Sequence, residues 1–366
     1  MKIMHIVGAR PNFIKIAPIM REMENYPDKF EQILVHTGQH YDANMSDVFF
    51  DELELPKPDV NLEVGSGTHA GQTAQIMLRF EGVLNTYKPD WIIVPGDVNS
   101  TIACALVASK LGVKIAHVEA GLRSFDRTMP EEINRVLTDQ LSDLLFTPSR
   151  DGNENLLREG LSAEKIHFVG NIMIDTLVRL LPKAEGRWPA LKEQFCLNRY
   201  ILATFHRPSN VDNIEVFAEI IAALAEISKK VPVVFPVHPR TRIKILSLGL
   251  SFRKDNLILT EPLGYLDFLA LQMKAAALLT DSGGIQEETT YLGIPCLTAR
   301  PNTERPVTIT HGTNQLVKSR RDAIIETTEK VLKSDILRKP GPELWDGITA
   351  RRIVNIFLKD VHKPSY

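Results

Sequence analysis

The first 23 residues, MKIMHIVGARPNFIKIAPIMREM, decide the fold class. Residues 2–7 form the short apolar run typical of a buried strand, and residues 14–23 follow with an amphipathic helical pattern. Gly8 permits a tight turn between the two, and Pro11 suits the first position of a helix. Because a buried strand followed by a helix is the repeating unit of parallel sheets, this stretch predicts an α/β fold.

The same alternation continues along the chain in two clusters of short apolar runs, each run followed by a helical pattern. The first cluster contains residues 2–7, 32–35, 91–95, 114–119 and 144–147, and the second contains residues 200–204, 232–236, 257–260, 276–280 and 296–299. Residues 181–199 carry two prolines, a glycine and mixed charge without a strand pattern, which indicates a helix or a linker. We therefore predict two parallel α/β units.

Composition excludes several classes of protein. The chain has 366 residues, of which 44% are hydrophobic, and its net charge is −2. These values argue against a disordered chain and against a coat for nucleic acid, which needs a strong basic excess. Cys104, Cys196 and Cys296 lack a nearby partner and indicate reduced core thiols of a cytoplasmic protein. We see no signal peptide and no membrane span, and so expect no membrane partner.

Two loops after predicted strands could bind phosphate, because parallel sheets bind ligands at the carboxyl ends of their strands. Arg10 stands at a helix N-terminus with Lys15 one turn on, although a simple turn with a solvated arginine explains that loop equally well. The sequence TDSGG at residues 280–284 also opens a helix, and its glycines let backbone N–H groups approach a diphosphate. Glu288 follows one turn later, where it could accept hydrogen bonds from a ribose, or could be ordinary acidic bias near a helix start.

Acidic residues and a histidine also follow predicted strands. Asp97 and Glu119 end successive strands, so we expect them to share a crevice in which crowding raises at least one pKa. Glu131 opens a helix and is a third candidate, with an ion pair to Arg135 four residues later as the structural alternative. His206 follows a strand of the second cluster and could assist a leaving phosphate. His117 and Glu119 lack a third ligand at a suitable spacing, so no metal is predicted.

Taken together, the motifs resemble those of the non-hydrolysing UDP-N-acetylglucosamine 2-epimerases. The motifs are GARPNFIKIAP, TGQH, PGDVNST, HVEAGLRS, MPEEINR, TDSGGIQEE and TERP, and the resemblance spans residues 1 to about 317. It implies an architecture of the glycosyltransferase-B type, with two Rossmann-like domains across a cleft and a C-terminal helix that crosses back. The expected domains are residues 1–170 with 345–366, and residues 171–344; the crossing helix is expected at residues 344–359.

The resemblance also implies roles for individual residues. The positions that match the family's catalytic set are Asp97, Glu119, Glu131 and His206. The positions that match its substrate and UDP contacts are Arg10, Lys15, His238, Ser282, Gly283, Gly284, Glu288 and Arg305. The expected partners are a UDP-sugar and a second copy in a homodimer, with no nucleic acid and with neither a metal nor a redox cofactor.

The implied reaction is the reversible C2 epimerisation of UDP-N-acetylglucosamine to UDP-N-acetylmannosamine, by loss of UDP to a 2-acetamidoglycal and its return. In some bacterial members a second substrate molecule activates the enzyme, and Gln39, His40 and Arg207 are the candidates for that site here. This chain has Ser209 where many members have an acidic residue in the HRxEN motif, which leaves the activation open.

There are four alternative functions. The stretch HTGQHYDANMSDVFF also resembles relatives that act on 2,3-diacetamido sugar nucleotides. A UDP-sugar glycosyltransferase of the same architecture would use the same nucleotide site but needs an acceptor groove. A hydrolysing relative is disfavoured by the sequence RPNF after Ala9, and a sensor without turnover is disfavoured because all four catalytic-type residues are present.

Overall fold

The computed structural model describes residues 1–39, 52–237, 239–247, 256–334 and 341–361. Within these ranges it leaves out the side chains of Arg10, Pro239, Arg240, Leu246, Ser247, Asp360 and Val361. The chain divides into two compact units. Unit 1 contains Met1–Arg179 and Glu343–Tyr366, and unit 2 contains Leu180–Pro342.

Unit 1 is built on a parallel sheet of seven strands with helices on both faces. Its strands are β1 (Lys2–Val7), β2 (Glu31–His36), β3 (Val60–Asn61), β4 (Trp91–Pro95), β5 (Lys114–Val118), β6 (Leu144–Thr147) and β7 (Ile166–Phe168). Its helices are α1 (Arg10–Glu24), α2 (His69–Tyr87), α3 (Asn99–Leu111), α4 (Pro130–Leu141) and α5 (Arg150–Arg158), with α6 (Ile172–Gln194) leading out and α14 (Thr349–Val361) at the end.

The strand order of unit 1 is β3-β2-β1-β4-β5-β6-β7. The chain therefore builds the sheet in one direction from β1 and then returns to build it in the other direction from β4. At such a switch point the loops after the two central strands diverge, which opens a crevice at the carboxyl ends of β1 and β4. The register places Ile3 beside Trp91 and His5 beside Ile93, so both strands end at the same edge.

The core of unit 1 explains why these segments fold as they do. On one face of the sheet, Ile76 and Phe80 of α2 are fully buried against Met4 and Ile92. On the other face, Phe357 of α14 packs edge-on against Trp91, with ring centroids 5.4 Å apart. The apolar spacing in α2 and α14 thus faces the sheet, and burying such side chains contributes about 2 kcal/mol each.

Unit 2 repeats the plan with a parallel sheet of six strands. Its strands are β8 (Ile201–Thr204), β9 (Val233–Pro236), β10 (Leu257–Thr260), β11 (Ala277–Thr280), β12 (Cys296–Ala299) and β13 (Asn314–Val317). Its helices after α6 are α7 (Pro208–Val211), α8 (Ile214–Ser228), α9 (Pro239–Ser247), α10 (Tyr265–Lys274), α11 (Gly283–Leu292), α12 (Val307–Thr310) and α13 (Arg321–Lys333).

The strand order of unit 2 is β10-β9-β8-β11-β12-β13, which puts a second switch point between β8 and β11. The register places Thr204 beside Thr280, so the loops after these two strands begin side by side. The buried face of α8, with Phe217, Ile220 and Leu224, forms the core with the sheet.

The prediction of two parallel α/β units is confirmed, and each of the ten predicted runs contains a strand. The sequence missed three strands, β3, β7 and β13, because they are short and partly exposed. Residues 181–194, for which a helix or a linker was left open, belong to α6 despite Pro182 and Pro189. The last helix begins at Thr349, later than the expected residue 344, and Leu344 itself has a positive φ of 61°, which a right-handed helix does not allow. Cys104 and Cys296 are buried as expected, whereas Cys196 is exposed because it lies in the turn after α6. No helix within the described ranges is long and apolar enough to span a membrane.

Candidate active site

The start of α1 is shaped by one asparagine at the switch point of unit 1. The Asn12 side-chain oxygen accepts hydrogen bonds from the backbone N–H groups of Gly8 (3.1 Å) and Ala9 (2.9 Å). Its amide nitrogen donates to the carbonyl of Pro95 at the end of β4, over 3.0 Å. Asn12 therefore ties the loop after β1 to the loop after β4. Arg10 begins α1, but its side chain lies outside the described part of the structure.

Lys15 and Glu119 form a buried ion pair. The Lys15 ammonium contacts the Glu119 carboxylate, and both side chains are almost fully buried. A Cβ atom on Gly96 would lie only 2.8 Å from Lys15 Nζ, so the pair sits directly against the Gly96 backbone. Glu119 itself has a positive φ of 76°, a conformation that strains a side chain with a Cβ by about 1–3 kcal/mol. Lys15, predicted to contact the nucleotide, thus also holds a predicted catalytic acid.

Asp97 is held by a different cation. Its carboxylate oxygen Oδ2 accepts hydrogen bonds from Arg135 Nη2 (2.7 Å) and Nε (2.9 Å). The same guanidinium reaches Glu132 through Nη1 at 2.5 Å, and Asn134 donates to the Asp97 carbonyl at 2.8 Å. The Asp97 side chain keeps 25% of its surface exposed, whereas Glu119 keeps 5%. Asp97 and Glu119 are thus each paired with a cation, a feature that the sequence did not predict.

Glu131 differs from its neighbour Glu132. Glu132 is buried and accepts hydrogen bonds from the backbone N–H groups of Ser124 and Phe125, both at 2.9 Å. The Glu131 side chain is half-buried at the start of α4 and makes no hydrogen bond or ion pair with the residues that the structure describes. The structural alternative of an ion pair between Glu131 and Arg135 is wrong, because Arg135 pairs with Glu132 and Asp97.

A buried network that the sequence did not reveal lies behind this edge. His117 on β5 contacts the Gly96 carbonyl through Nε2 (2.8 Å) and Asp139 on α4 through Nδ1 (2.6 Å). Asp139 also pairs with Arg123 (2.7 Å), which forms a two-pronged pair with Glu159. Burial alone would raise the pKa of Asp139, but His117 and Arg123 lower it on balance. Arg123 belongs to the quoted motif HVEAGLRS, and nothing in the local sequence points to Asp139.

A metal-binding cluster of His, Cys, Asp or Glu does not occur among the residues that the structure describes. His117 and Glu119, for which a metal was considered, belong to the two separate networks just described.

In unit 2, Asp281 organises the switch point between β8 and β11. This fully buried carboxylate accepts hydrogen bonds from the backbone N–H groups of His206 (3.1 Å) and Arg207 (3.0 Å) and from the side-chain amide of Asn210 (3.1 Å). His206 Nδ1 lies 3.0 Å from the same carboxylate, while 61% of the His206 side chain stays exposed. Burial alone would raise the pKa of Asp281, but these donors, led by His206, lower it. The buried Asp281 carboxylate thus holds the exposed His206 ring in place.

Ser282 precedes α11, and Gly283 is its first residue, as the motif TDSGG predicted. A Cβ atom on Gly283 would lie 2.9 Å from Glu304 Oε1 and 3.0 Å from the Arg305 guanidinium carbon. A larger residue here would therefore push these two side chains aside. Gly284, the next predicted ligand, occupies the second position of the helix, where backbone N–H groups lack partners within the helix.

An arginine cluster surrounds Glu304 beside this loop. Glu304 pairs with Arg305 (2.5 Å), Arg300 (2.7 Å) and Arg207 (3.6 Å), and Arg305 Nε lies 2.9 Å from Glu287. Three guanidinium groups therefore lie around Glu304 beside the N-terminus of α11. Positive charge and a helix N-terminus both favour an anion such as a diphosphate.

Glu288 is buried in the middle of α11. It accepts a hydrogen bond of 2.8 Å from the Tyr265 hydroxyl on α10. Burial raises the pKa of Glu288 to about 7, although the hydrogen bond from Tyr265 acts in the opposite direction. The sequence predicted Glu288 but missed Tyr265, which lies on another helix.

The predicted second-site residues are only partly placed. Gln39 is buried, and its side-chain oxygen accepts hydrogen bonds from the Ser100 backbone N–H (3.0 Å) and hydroxyl (2.7 Å) at the start of α3. Arg207 lies in unit 2, in the arginine cluster. His40 of the second site and His238 of the UDP site lie outside the described residues.

Comparison with known proteins identifies relatives along the whole chain. A family model described as UDP-N-acetylglucosamine 2-epimerase matches residues 21–358. The UDP-N-acetylglucosamine 2-epimerase of Methanococcus maripaludis is 46% identical over 363 residues, which cover 97% of this chain and 98% of that protein. The UDP-2,3-diacetamido-2,3-dideoxy-D-glucuronate 2-epimerase of Pseudomonas aeruginosa is 44% identical over 362 residues, covering 98% of this chain and all of that protein.

Solved structures show the same fold. The crystal structure of the Methanocaldococcus jannaschii UDP-GlcNAc 2-epimerase in complex with UDP-GlcNAc and UDP has a TM-score of 0.90 and 43% identity, covering 98% of this chain and 100% of that one. The Neisseria meningitidis UDP-GlcNAc 2-epimerase bound to UDP-GlcNAc has a TM-score of 0.87 at 32% identity, covering 98% of this chain and 100% of that one. These likenesses confirm the family that the motifs indicated. The chain belongs to the UDP-N-acetylglucosamine 2-epimerase family.

Proposed function

We propose that this protein interconverts UDP-N-acetylglucosamine and UDP-N-acetylmannosamine by eliminating UDP and adding it back. The C2 hydrogen of a 2-acetamido sugar is next to an amide nitrogen and not to a carbonyl, so a carbanion at C2 has no electron sink. Elimination avoids that carbanion. A base takes the C2 proton, a double bond forms between C1 and C2, and UDP leaves with the electron pair of the C1–O bond.

The return step reverses the bond changes with the opposite stereochemistry at C2. An acid delivers a proton to the other face of C2, and a phosphate oxygen of UDP attacks C1. The enzyme therefore needs acid or base groups at two faces of C2, a stabilised leaving group and exclusion of water from the glycal.

Unit 1 supplies the groups for the proton transfers in this proposal. Asp97 and Glu119 exchange the proton at C2, and Glu131 assists them or takes part directly. The Lys15 ammonium has three donors, so it can hold Glu119 and a phosphate oxygen at once. The ion pairs with Arg135 and Lys15 keep both acids in one orientation, which fits groups that act at a fixed carbon.

In this proposal, unit 2 supplies the residues that bind the diphosphate and the ribose of UDP. Ser282, Gly283 and Gly284 present backbone N–H groups to the diphosphate, Arg305 adds positive charge, and Glu288 accepts from the ribose. The exposed His206 ring stabilises the departing UDP, with Asp281 behind it.

The observation that carries the proposal is the position of Asp97 and Glu119 at the carboxyl ends of adjacent strands, each fixed by its own cation. A glycosyltransferase of the same architecture has no use for two such acids at one edge.

A second candidate is the corresponding 2-epimerisation of a UDP-2,3-diacetamido sugar. It is supported by the 44% identity to the Pseudomonas aeruginosa enzyme, which is close to the 46% identity to the Methanococcus maripaludis enzyme. The chemistry at C1 and C2 is the same in both cases, so the same acids would act.

Proton NMR in D₂O tests the proposal. Purified protein with UDP-N-acetylglucosamine should place deuterium at C2 of both the product and the recovered substrate, and free UDP with glycal should accumulate slowly. A parallel sample with UDP-2,3-diacetamido-2,3-dideoxy-D-glucuronate distinguishes the two substrates. If UDP-N-acetylglucosamine stays fully protonated and no UDP-N-acetylmannosamine forms, the assignment to this substrate fails. A homodimer and a cytoplasmic location stay predictions, the first of which light scattering can test.

A further inference from the structure

The two ring nitrogens of His117 both face hydrogen-bond acceptors. Nε2 lies 2.8 Å from the carbonyl oxygen of Gly96, which has no proton to give. Nδ1 lies 2.6 Å from Asp139 Oδ1. A neutral imidazole carries a proton on only one nitrogen, so it could satisfy only one of two acceptors.

The other contacts of Asp139 decide where the extra proton resides. Its second oxygen, Oδ2, accepts from the Gly121 backbone N–H (3.2 Å) and from Arg123 Nη2 (2.7 Å), so that oxygen is occupied by donors. The Arg123 guanidinium favours an ionised carboxylate next to it. With an ionised Asp139, both nitrogens of His117 must carry protons.

We propose that His117 is a positioning residue which, as a protonated imidazolium paired with Asp139, holds the Gly96 carbonyl and thereby sets the loop that carries Asp97. The effect on catalysis rests on the proposed function, whereas the protonation state does not.

The position of the Gly96 peptide affects both Asp97 and the contact between Lys15 and Glu119. Its N–H donates to the Val118 carbonyl at 2.9 Å, so β5 holds Gly96 from both sides through Val118 and His117. Its φ is +66°, and Lys15 Nζ would lie 2.8 Å from a Cβ there. A shift of this peptide would therefore move Asp97 and disturb the Lys15 contact with Glu119 together.

The charges around His117 favour a doubly protonated imidazole ring. Asp139 from α4 faces the ring directly, and Arg123 from the loop after β5 lies behind Asp139. Glu119 is two residues further along the chain, and its carboxylate forms an ion pair with Lys15 from α1. His117 and Asp139 are both fully buried, so a neutral ring would leave one buried acceptor without a donor.

Nitrogen NMR of protein labelled with ¹⁵N-histidine tests the protonation state without using activity. The chain has ten histidines, so the His117 signals are identified by their loss in His117→Gln. We expect both ring nitrogens to carry protons at pH 7. A neutral ring at pH 7 overturns the proposal.

Kinetics test the positioning role. His117→Leu removes the donor to Gly96 and should lower kcat about 100-fold, with KM and UDP affinity changed by less than about threefold. His117→Gln can still donate to the Gly96 carbonyl and should recover at least about tenfold of that loss. Asp139→Asn can donate to Nδ1 and accept from Arg123, so its His117 ring should become neutral in the NMR experiment.

A control separates positioning from general loss of stability. Asp143→Asn alters a carboxylate that also binds β5, through the Ile115 backbone N–H at 2.9 Å, but is exposed and outside the network. It should leave kcat unchanged. A folded His117→Leu protein with unchanged kcat contradicts the positioning role. If the wild-type protein epimerises no UDP-sugar, the proposed function fails while the NMR result still decides the state of His117. If His117→Leu does not fold, the NMR experiment on the wild-type protein and the Gln variant decide the proposal.

Discussion

The two switch points of the molecule have the same plan but opposite chemistry. In unit 1 the loops after β4 and β5 present the carboxylates of Asp97 and Glu119, each paired with a cation. In unit 2 the loop after β11 buries its acid, Asp281, completely and uses it to collect N–H donors beneath an exposed His206. One edge therefore presents acids, and the other presents donors and positive charge.

This difference explains how one fold, used twice in a chain, can serve two tasks. A pair of fixed carboxylates suits proton transfer at a carbon atom. A helix N-terminus with three nearby guanidinium groups suits a diphosphate. In the proposed reaction, unit 1 therefore supplies the proton transfers, and unit 2 supplies most of the contacts to UDP.

The largest change in stability is expected for Asp281→Ala. The backbone N–H groups of His206 and Arg207 would lose their acceptor in a partly buried loop, which costs about 3 kcal/mol of unfolding free energy. Denaturant unfolding near neutral pH measures the loss. As a control, Asp59→Ala removes an exposed carboxylate that binds a single backbone N–H, that of Leu34, and should cost about 1 kcal/mol. Equal losses in the two variants would contradict the central role given to Asp281.

A smaller effect is expected from a matched pair of glycine substitutions in unit 1. Gly96 and Gly112 both have a positive φ, of 66° and 72°, but only at Gly96 would an added Cβ atom meet other atoms within 4 Å, among them Lys15 Nζ and the Glu119 carboxylate. Gly112→Ala should cost about 1 kcal/mol from the backbone alone. Gly96→Ala should cost about 2 kcal/mol, because the added methyl group also displaces Lys15.

The same two glycine variants also test whether unit 1 transfers the proton and unit 2 binds UDP. Gly96→Ala should lower the rate of deuterium exchange at C2 at least about tenfold and should weaken UDP binding by a smaller factor, through the displaced Lys15 alone. Gly112→Ala should change neither quantity. In unit 2, Gly283→Ala would press on Arg305 and Glu304 and should weaken UDP binding instead. If Gly96→Ala weakened UDP binding and left exchange intact, the comparison between the two units would be wrong.

The last effect concerns the pH dependence of stability. Burial raises the pKa of Glu288 from 4.5 to about 7, so between these values the folded protein keeps a proton that the unfolded chain releases. The unfolding free energy should therefore fall as pH rises through this range, by up to about 1.4 kcal/mol per pH unit, and level off above it. Glu288→Gln should flatten that decline. Unfolding curves at a series of pH values measure it.

Unit 1 contains a second buried acid with a raised pKa, Asp175, which serves as a comparison. Burial raises the pKa of Asp175 from 3.8 to about 6, against the hydrogen bonds from the Thr349 and Ala350 backbone N–H groups. Asp175→Asn should flatten only the lower range, from 3.8 to about 6. A decline between pH 6 and about 7 that persists in Glu288→Gln would show that another group is responsible.

The sequence could predict which loops carry the chemistry, because that depends on local patterns. A run such as WIIVP ends where its apolar residues end, and the next residues, Gly96 and Asp97, must then lie at the carboxyl edge of the sheet. The same reasoning located Glu119, His206 and Gly283. Short strands such as β13 were missed, because the two middle residues of Asn314–Val317 are exposed and give no apolar run.

The partners of these residues could not be predicted, because they depend on the strand order. Lys15 and Glu119 are 104 residues apart and meet only because β1, β4 and β5 are neighbours. Asp139 resembles any polar residue of an amphipathic helix until β5 brings His117 against it. The cations that pair with Asp97 and Glu119 were missed for the same reason, since the fold brings them from other parts of the chain.

The most direct test of the division between the two units is Glu119→Gln, measured by deuterium exchange at C2 of the UDP-sugar and by calorimetric binding of UDP. We predict that exchange falls by at least about 100-fold, because a glutamine cannot transfer the proton, and that UDP affinity stays within about threefold. Exchange at the wild-type rate in a folded Glu119→Gln protein would contradict the assignment of proton transfer to the acids of unit 1.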